Sequence, residues 1–151
     1  LLGIRESRRV MGDYCMVLDD FQNRADFEDE IGRYSYPVDM HASDASKESF
    51  SRFEKDHTSL RYEKGESYGI PYRILIPRNL HNVLVAGRCV SCDRYIQSSI
   101  RVMPGCYITG QAAGAAAAMA AEKNTDPRGV GFRELQLCLK KLGAFLPNFK
   151  G

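Results

Sequence analysis

The chain has 151 residues, 44% of them hydrophobic and 26% charged, with a formal net charge of +2. That balance excludes disordered, collagenous and fibrous classes and places the chain among soluble globular proteins, long enough for one real core. No run of about 18 apolar residues occurs, so no membrane contact is expected, and so small a net charge does not point to nucleic acid.

Residues 3–18 read as extended, with Met11-Gly12-Asp13 as a bend or bulge between two strand pieces. The start, Leu1-Leu2-Gly3, runs at once into charged residues and does not read as a signal peptide; the chain opens in mid-pattern, as a piece of something longer would. Asp19-Asp20 can cap a short helix, and Phe21, Ala25, Phe27 and Ile31 recur at roughly helical spacing. Residues 34–40 read as extended, with Pro37 marking an edge or irregular strand. Residues 42–58 are polar and charged and predict a loop or weak helix. Residues 59–63 and 68–76 predict a strand pair, with Pro71 at an edge or entry.

Val83-Leu84-Val85-Ala86 is a short apolar run of the kind buried on both faces of a sheet, and it stops at Gly87-Arg88. Residues 89–102 read as a loop. Pro104 then opens a long helix over residues 104–122, and a last amphipathic helix over 131–142 stops at Gly143.

Charge is divided along the chain. Residues 19–66 hold 13 acids and 7 bases, and the remainder holds 6 acids and 14 bases. Arg73, Arg78, Arg88, Arg94 and Arg101 fall near the glycine-rich stretch, a balance suited to a bound anion. The five cysteines are odd in number and scattered, which is no secreted disulfide framework. Cys89-Val-Ser-Cys92 lacks the second ligand pair a structural zinc site needs, so no metal is expected. A redox pair at that C-x-x-C remains a rival reading.

The informative block runs from residue 83 to 118. A glycine straight after a buried strand lets a ligand approach the backbone. A helix N-terminus offers unbonded N–H groups to an anion. Met103, the expected N-cap, has no side-chain acceptor, which leaves the N–H groups of Gly105 and Cys106 for an external one. The helix itself is almost all Gly and Ala, with Gly110 and Gly114 four apart, and small residues suit a place where a neighbour or ligand must come close.

This block resembles the C-terminal signature of FAD-dependent oxidoreductases, in Asn82-Val-Leu-Val-Ala-Gly-Arg-Cys89, Ser99-Ile-Arg-Val-Met-Pro104 and Thr109-Gly-Gln-Ala-Ala-Gly-Ala-Ala116. Gly3-Ile-Arg-Glu-Ser-Arg-Arg-Val10, Gly12-Asp13-Tyr14, Tyr36-Pro-Val-Asp-Met-His41 and Ile70-Pro-Tyr-Arg73 fit the same family in order. The resemblance implies an α+β or α/β fragment. Residues 1–80 would be antiparallel strands of a substrate-side domain, and 81–151 the last strand and helices of a Rossmann-type FAD domain. It implies FAD as cofactor and a small-molecule substrate. Gly87 and Arg88 would lie beside the ribityl chain or pyrophosphate, and Ser99, Ile100, Arg101, Val102 and Met103 would pass the isoalloxazine ring. The backbone N–H groups at Met103, Gly105 and Cys106 would face the pyrimidine oxygen. Arg5, Arg9, His41, Arg73 and Arg101 would line the substrate side, with His41, Arg73 and Arg101 as the catalytic candidates.

One element of the family pattern is missing. No G-x-G-x-x-G loop occurs anywhere in the chain. The reading is therefore the C-terminal part of an FAD-dependent oxidoreductase, lacking the N-terminal FAD-binding half and expected to be inactive alone. Apolar sheet edges left open would favour partial misfolding or self-association. The alternative is a non-enzymatic module that binds a nucleotide or phosphate.

Overall fold

The computed structural model describes residues 6, 8–39 and 61–150. It is a small α+β arrangement, with four α-helices and a two-stranded antiparallel sheet among the described residues. In chain order these are α1 (Leu18–Gln22), β1 (Glu30–Tyr34), β2 (Tyr68–Pro71), α2 (Arg94–Ile100), α3 (Met103–Glu122) and α4 (Phe132–Lys141).

Residues 8–16 form an extended segment laid over two others. Val10 N donates to Cys89 O at 2.9 Å, Asp13 N to Ile76 O at 2.9 Å and Met16 N to Ser91 O at 3.2 Å. Gly12 marks the closest approach: a Cβ there would lie 2.8 Å from Ser91 Cβ. α1 ends at Gln22, and Arg24 turns the chain with φ +51°. The helical spacing expected to run on from Phe21 to Ile31 is thus broken, and Ile31 belongs to β1.

β1 pairs with β2 in the register Gly32–Ile70, Arg33–Gly69 and Tyr34–Tyr68, with an irregularity between Glu30 and Gly32. The expected pairing of 59–63 with 68–76 is corrected, because residues 61–63 carry no strand and β2 takes β1 as its partner. Pro71, which has no N–H to give a ladder, closes β2, and residues 72–75 turn as a 3-10 helix. The polar stretch 42–58 lies outside the described residues.

α3 lies directly on this sheet. A Cβ on Gly32 would sit 2.6 Å from Ile108 Cγ2, so only a glycine in β1 admits the helix this closely. The buried face of α3 is Gly105, Thr109, Ala112, Ala116 and Ala120. It completes a core with Tyr68, Ile70, Ile74, Leu75, Ile96 and Ile100, and with Leu135 and Leu139 of α4. α4 ends at Lys141 with Leu142 as its cap, and Gly143 just beyond holds a φ of +87°, which an L side chain resists.

Two further expectations need correction. The run 83–86 forms no strand: its one backbone–backbone tie among the described residues is Val85 N to Leu75 O at 2.8 Å, and Val83 is exposed. A strand exists only with a partner, and no described segment pairs with this one. Conversely, the loop expected over 89–102 contains α2. Asp93 caps it, accepting from Tyr95 N and Ile96 N at 2.8 Å each, while its second oxygen accepts Leu18 N at 2.8 Å.

Candidate functional site

Residues 87–89 form a 3-10 turn directly above the first turns of α3. Gly87 holds φ at +70°, a left-handed conformation that suits glycine. Its N–H donates to Thr109 Oγ1 at 2.9 Å, and the threonine hydroxyl lies 3.0 Å from Gly105 O and 3.1 Å from Cys106 O, to which it donates. A Cβ on Gly87 would lie 3.7 Å from Cys106 Sγ. Three of the expected positions, Gly87, Gly105 and Cys106, are therefore neighbours. Thr109, the buried group that joins them, had no assigned role in the sequence reading. Its signal is a single β-hydroxyl directly ahead of the Gly/Ala-rich run of the helix.

The junction of α2 and α3 supplies the rest. Gly105 packs so tightly that a Cβ would fall 2.3 Å from Ile100 O. Arg88 is tied to α2 from both ends of the residue: Gln97 Nε2 donates to its carbonyl at 2.6 Å, and its Nε donates to Arg101 O at 3.3 Å. Arg101 is 8% exposed; its Nη2 donates to Asp39 O at 3.1 Å, while its buried Nε takes no partner among the described residues. A buried guanidinium N–H without an acceptor is costly, so an acceptor brought by a bound group would be well received. Ser99 and Ile100 are wholly buried. Ser99 Oγ donates to Tyr36 O at 2.6 Å and lies 2.9 Å from the Tyr68 hydroxyl, which makes it a tie between α2 and the sheet layer.

The donors at the start of α3 differ from expectation. The N-cap is Val102, not Met103, and Pro104 stands second in the helix. Cys106 N–H is spent on Val102 O at 3.1 Å, a bond made inside the helix. The Tyr34 hydroxyl stands near the Gly105 N–H, which partly offsets the upward push that burial gives that phenol. Of the three donors expected to face outward, those of Met103 and Gly105 make no hydrogen bond among the described residues. Tyr34 is a second group the sequence reading missed, brought to the helix start by β1.

The arginines assigned to the substrate side separate. Arg73 is committed to Asp29, with Nε to Oδ2 at 3.0 Å and Nη2 to Oδ1 at 3.2 Å, and it lies over the Tyr14 ring. This pair holds its guanidinium more firmly charged. Arg9 pairs with Glu6. Arg5 and His41 lie outside the described residues. The C-x-x-C thiols point to different carbonyls, Cys89 Sγ to Ala86 O at 3.4 Å and Cys92 Sγ to Val90 O at 3.6 Å. Burial pushes the Cys92 thiol up to about 12, away from redox reactivity.

Among the described residues no helix is long and apolar enough to cross a membrane. Comparison with characterised proteins finds no match, and comparison with solved structures finds none either. The family model described as FAD dependent oxidoreductase matches residues 1–139. With so much of its length covered, the chain belongs to the FAD-dependent oxidoreductase family, and the family's cofactor is FAD.

Proposed function

We propose that this chain supplies the C-terminal, isoalloxazine-side contacts of a flavin oxidoreductase and works with an N-terminal Rossmann half that holds the ADP end of FAD. The observation that carries the reading is the buried, unpartnered Arg101 Nε at the α2–α3 junction. Beside it stand the left-handed Gly87 turn and the open Met103 N–H, so the residues present fit a group that offers acceptor oxygens.

When bound, FAD supplies the redox chemistry, and the protein supplies orientation and electrostatics. In this reading Gly87 and Arg88 hold the ribityl or phosphate part. Arg101 and the first turn of α3 place positive potential against the ring's pyrimidine edge. Ser99, Ile100, Val102, Gly105 and Cys106 shape that contact. Arg73 and Arg9 remain substrate-side residues held by their carboxylate partners.

Two features support the need for a further half. The 20-residue α3 carries no charge before Glu122, and its outer face exposes Met103, Tyr107, Gly110 and Gly114. Most backbone groups of residues 83–86 have no partner among the described residues. Both suit burial against a sheet. The chain alone is then inactive and tends to self-associate.

The test is competition for FAD binding, read by flavin fluorescence. Riboflavin should compete and ADP should not, because the chain has no G-x-G-x-x-G loop. Arg101→Gln should weaken FAD and Arg101→Lys should weaken it less. Competition by ADP with none by riboflavin would instead support a nucleotide- or phosphate-binding module. Unchanged FAD affinity in Arg101→Gln would remove the assignment of that residue.

A further inference from the structure

A second cavity, of about 270 Å³, lies between the turn before β1, the start of α4 and the C-terminal segment. It shares no residue with the Gly87–Cys106 cluster. Phe27, Phe132 and Phe149 line it together with the buried Leu146. Gln136, one turn after Phe132 on the same face of α4, forms part of its wall and is 4% exposed.

The Gln136 carboxamide is fixed in one orientation. Its Nε2 donates to Glu28 O at 2.9 Å and to Glu30 O at 3.0 Å, so both amide hydrogens are used. Its Oε1 accepts from no described residue. The wall is thus three aromatic rings and one oriented, unused acceptor. Charges at the rim are of both signs, Glu28 against Arg133 and Lys150, and Glu30 is paired with Arg33 at 2.6 Å. The first three of these charges, unpaired among the described residues, are of both signs and exposed to solvent, so the apolar wall rather than the rim charge selects the ligand.

A dry cavity of roughly 150 Å³ is enough for benzene. The space here takes one ring system larger than that. Pockets of this make-up, apolar walls with one or two placed polar groups, are the usual form of small-molecule sites. We propose that this cavity binds a small, neutral aromatic molecule bearing an N–H or O–H donor, with the rings of Phe27, Phe132 and Phe149 around it and the donor on Gln136 Oε1.

The chain contains no tryptophan, so indole can be used as a probe and its emission read without background. On titration into the full chain, indole emission should shift to the blue and saturate. 1-Methylindole has the same ring but no N–H, and it should bind roughly threefold to tenfold more weakly. Phe149→Ala, at a half-buried position outside every helix and strand, should weaken indole at least roughly fivefold, with far-UV circular dichroism unchanged. Emission that fails to saturate, equal binding of the two indoles, or a Phe149→Ala chain that binds as before would each overturn the proposal. None of these readouts uses flavin, so their failure is separate from any failure of FAD binding.

Discussion

The amide of Gly87 donates to the buried hydroxyl of Thr109 across 2.9 Å, joining a surface turn to the second turn of α3 over 22 positions of sequence. The hydroxyl bonds onward to the Gly105 carbonyl, so one side chain holds the turn, the helix start and the tightest glycine of the site. Thr109→Val keeps the shape and removes the acceptor. It should cost about 1 kcal/mol in urea denaturation, because the Gly87 N–H loses its partner. Thr109→Ser should recover most of that loss. Equal stability of the valine and wild-type chains would show the bond to be dispensable.

The glycines of α3 should divide into two classes under the same substitution. A Cβ on Gly105 meets Ile100 O at 2.3 Å, whereas Gly110 and Gly114 have nothing within 4 Å. Gly105→Ala forces the α2–α3 junction apart and should lose about 1–3 kcal/mol. Gly110→Ala and Gly114→Ala should each gain up to about 1 kcal/mol from helix propensity. Thermal denaturation of the three variants decides this. A loss at Gly110 or Gly114 would mean that the outer face of α3 is already covered by a second copy in solution.

The five thiols should react unequally. Cys92 is buried and its thiol is pushed up to about 12 by that burial, so at pH of about 8 the thiolate fraction is on the order of one in ten thousand. Iodoacetamide on the folded chain should modify the half-buried Cys15 and Cys89 well before Cys92, as read by peptide mass mapping. Early labelling of Cys92 would restore the redox reading of the C-x-x-C.

Glu30 gives the fold a pH dependence of stated sign. It is 3% exposed, and burial raises its carboxyl above the ordinary 4.5, more than the neighbouring Arg33 lowers it. The folded chain therefore holds this proton more tightly than the unfolded one. The stability it contributes is full below pH 4.5 and is lost as pH rises through the folded value. Glu30→Gln should flatten that fall in urea midpoints measured between about pH 4 and 7, whatever it does to absolute stability through the lost Arg33 pair. A steeper fall in the variant would reverse the sign assigned here.

Local signals carried far in this chain where the structure they encode is local. Pro104 and the Gly/Ala run placed α3 to within one residue, and Gly143 placed the end of α4, because helix propensity and termination act within a few residues. The Gly87 turn was legible for the same reason. Asp93 ahead of Arg-Tyr-Ile-Gln was a readable N-cap for α2 that the loop reading passed over.

Tertiary structure decided what depends on partners. β-Formers in residues 68–71 announce a strand but not that it pairs with 30–34 across more than thirty positions. The run 83–86 has the composition of a buried strand, yet composition supplies no neighbour, and it lies unpaired. The same holds at the site. Sequence placed arginines near a helix start, but only packing gave Arg73 to Asp29, brought Tyr34 beside the start of α3, and left Arg101 Nε buried without an acceptor among the described residues. Residue type and spacing determined which groups were available, while the docking of β1 and α2 on α3 determined which of them stayed free to meet a ligand.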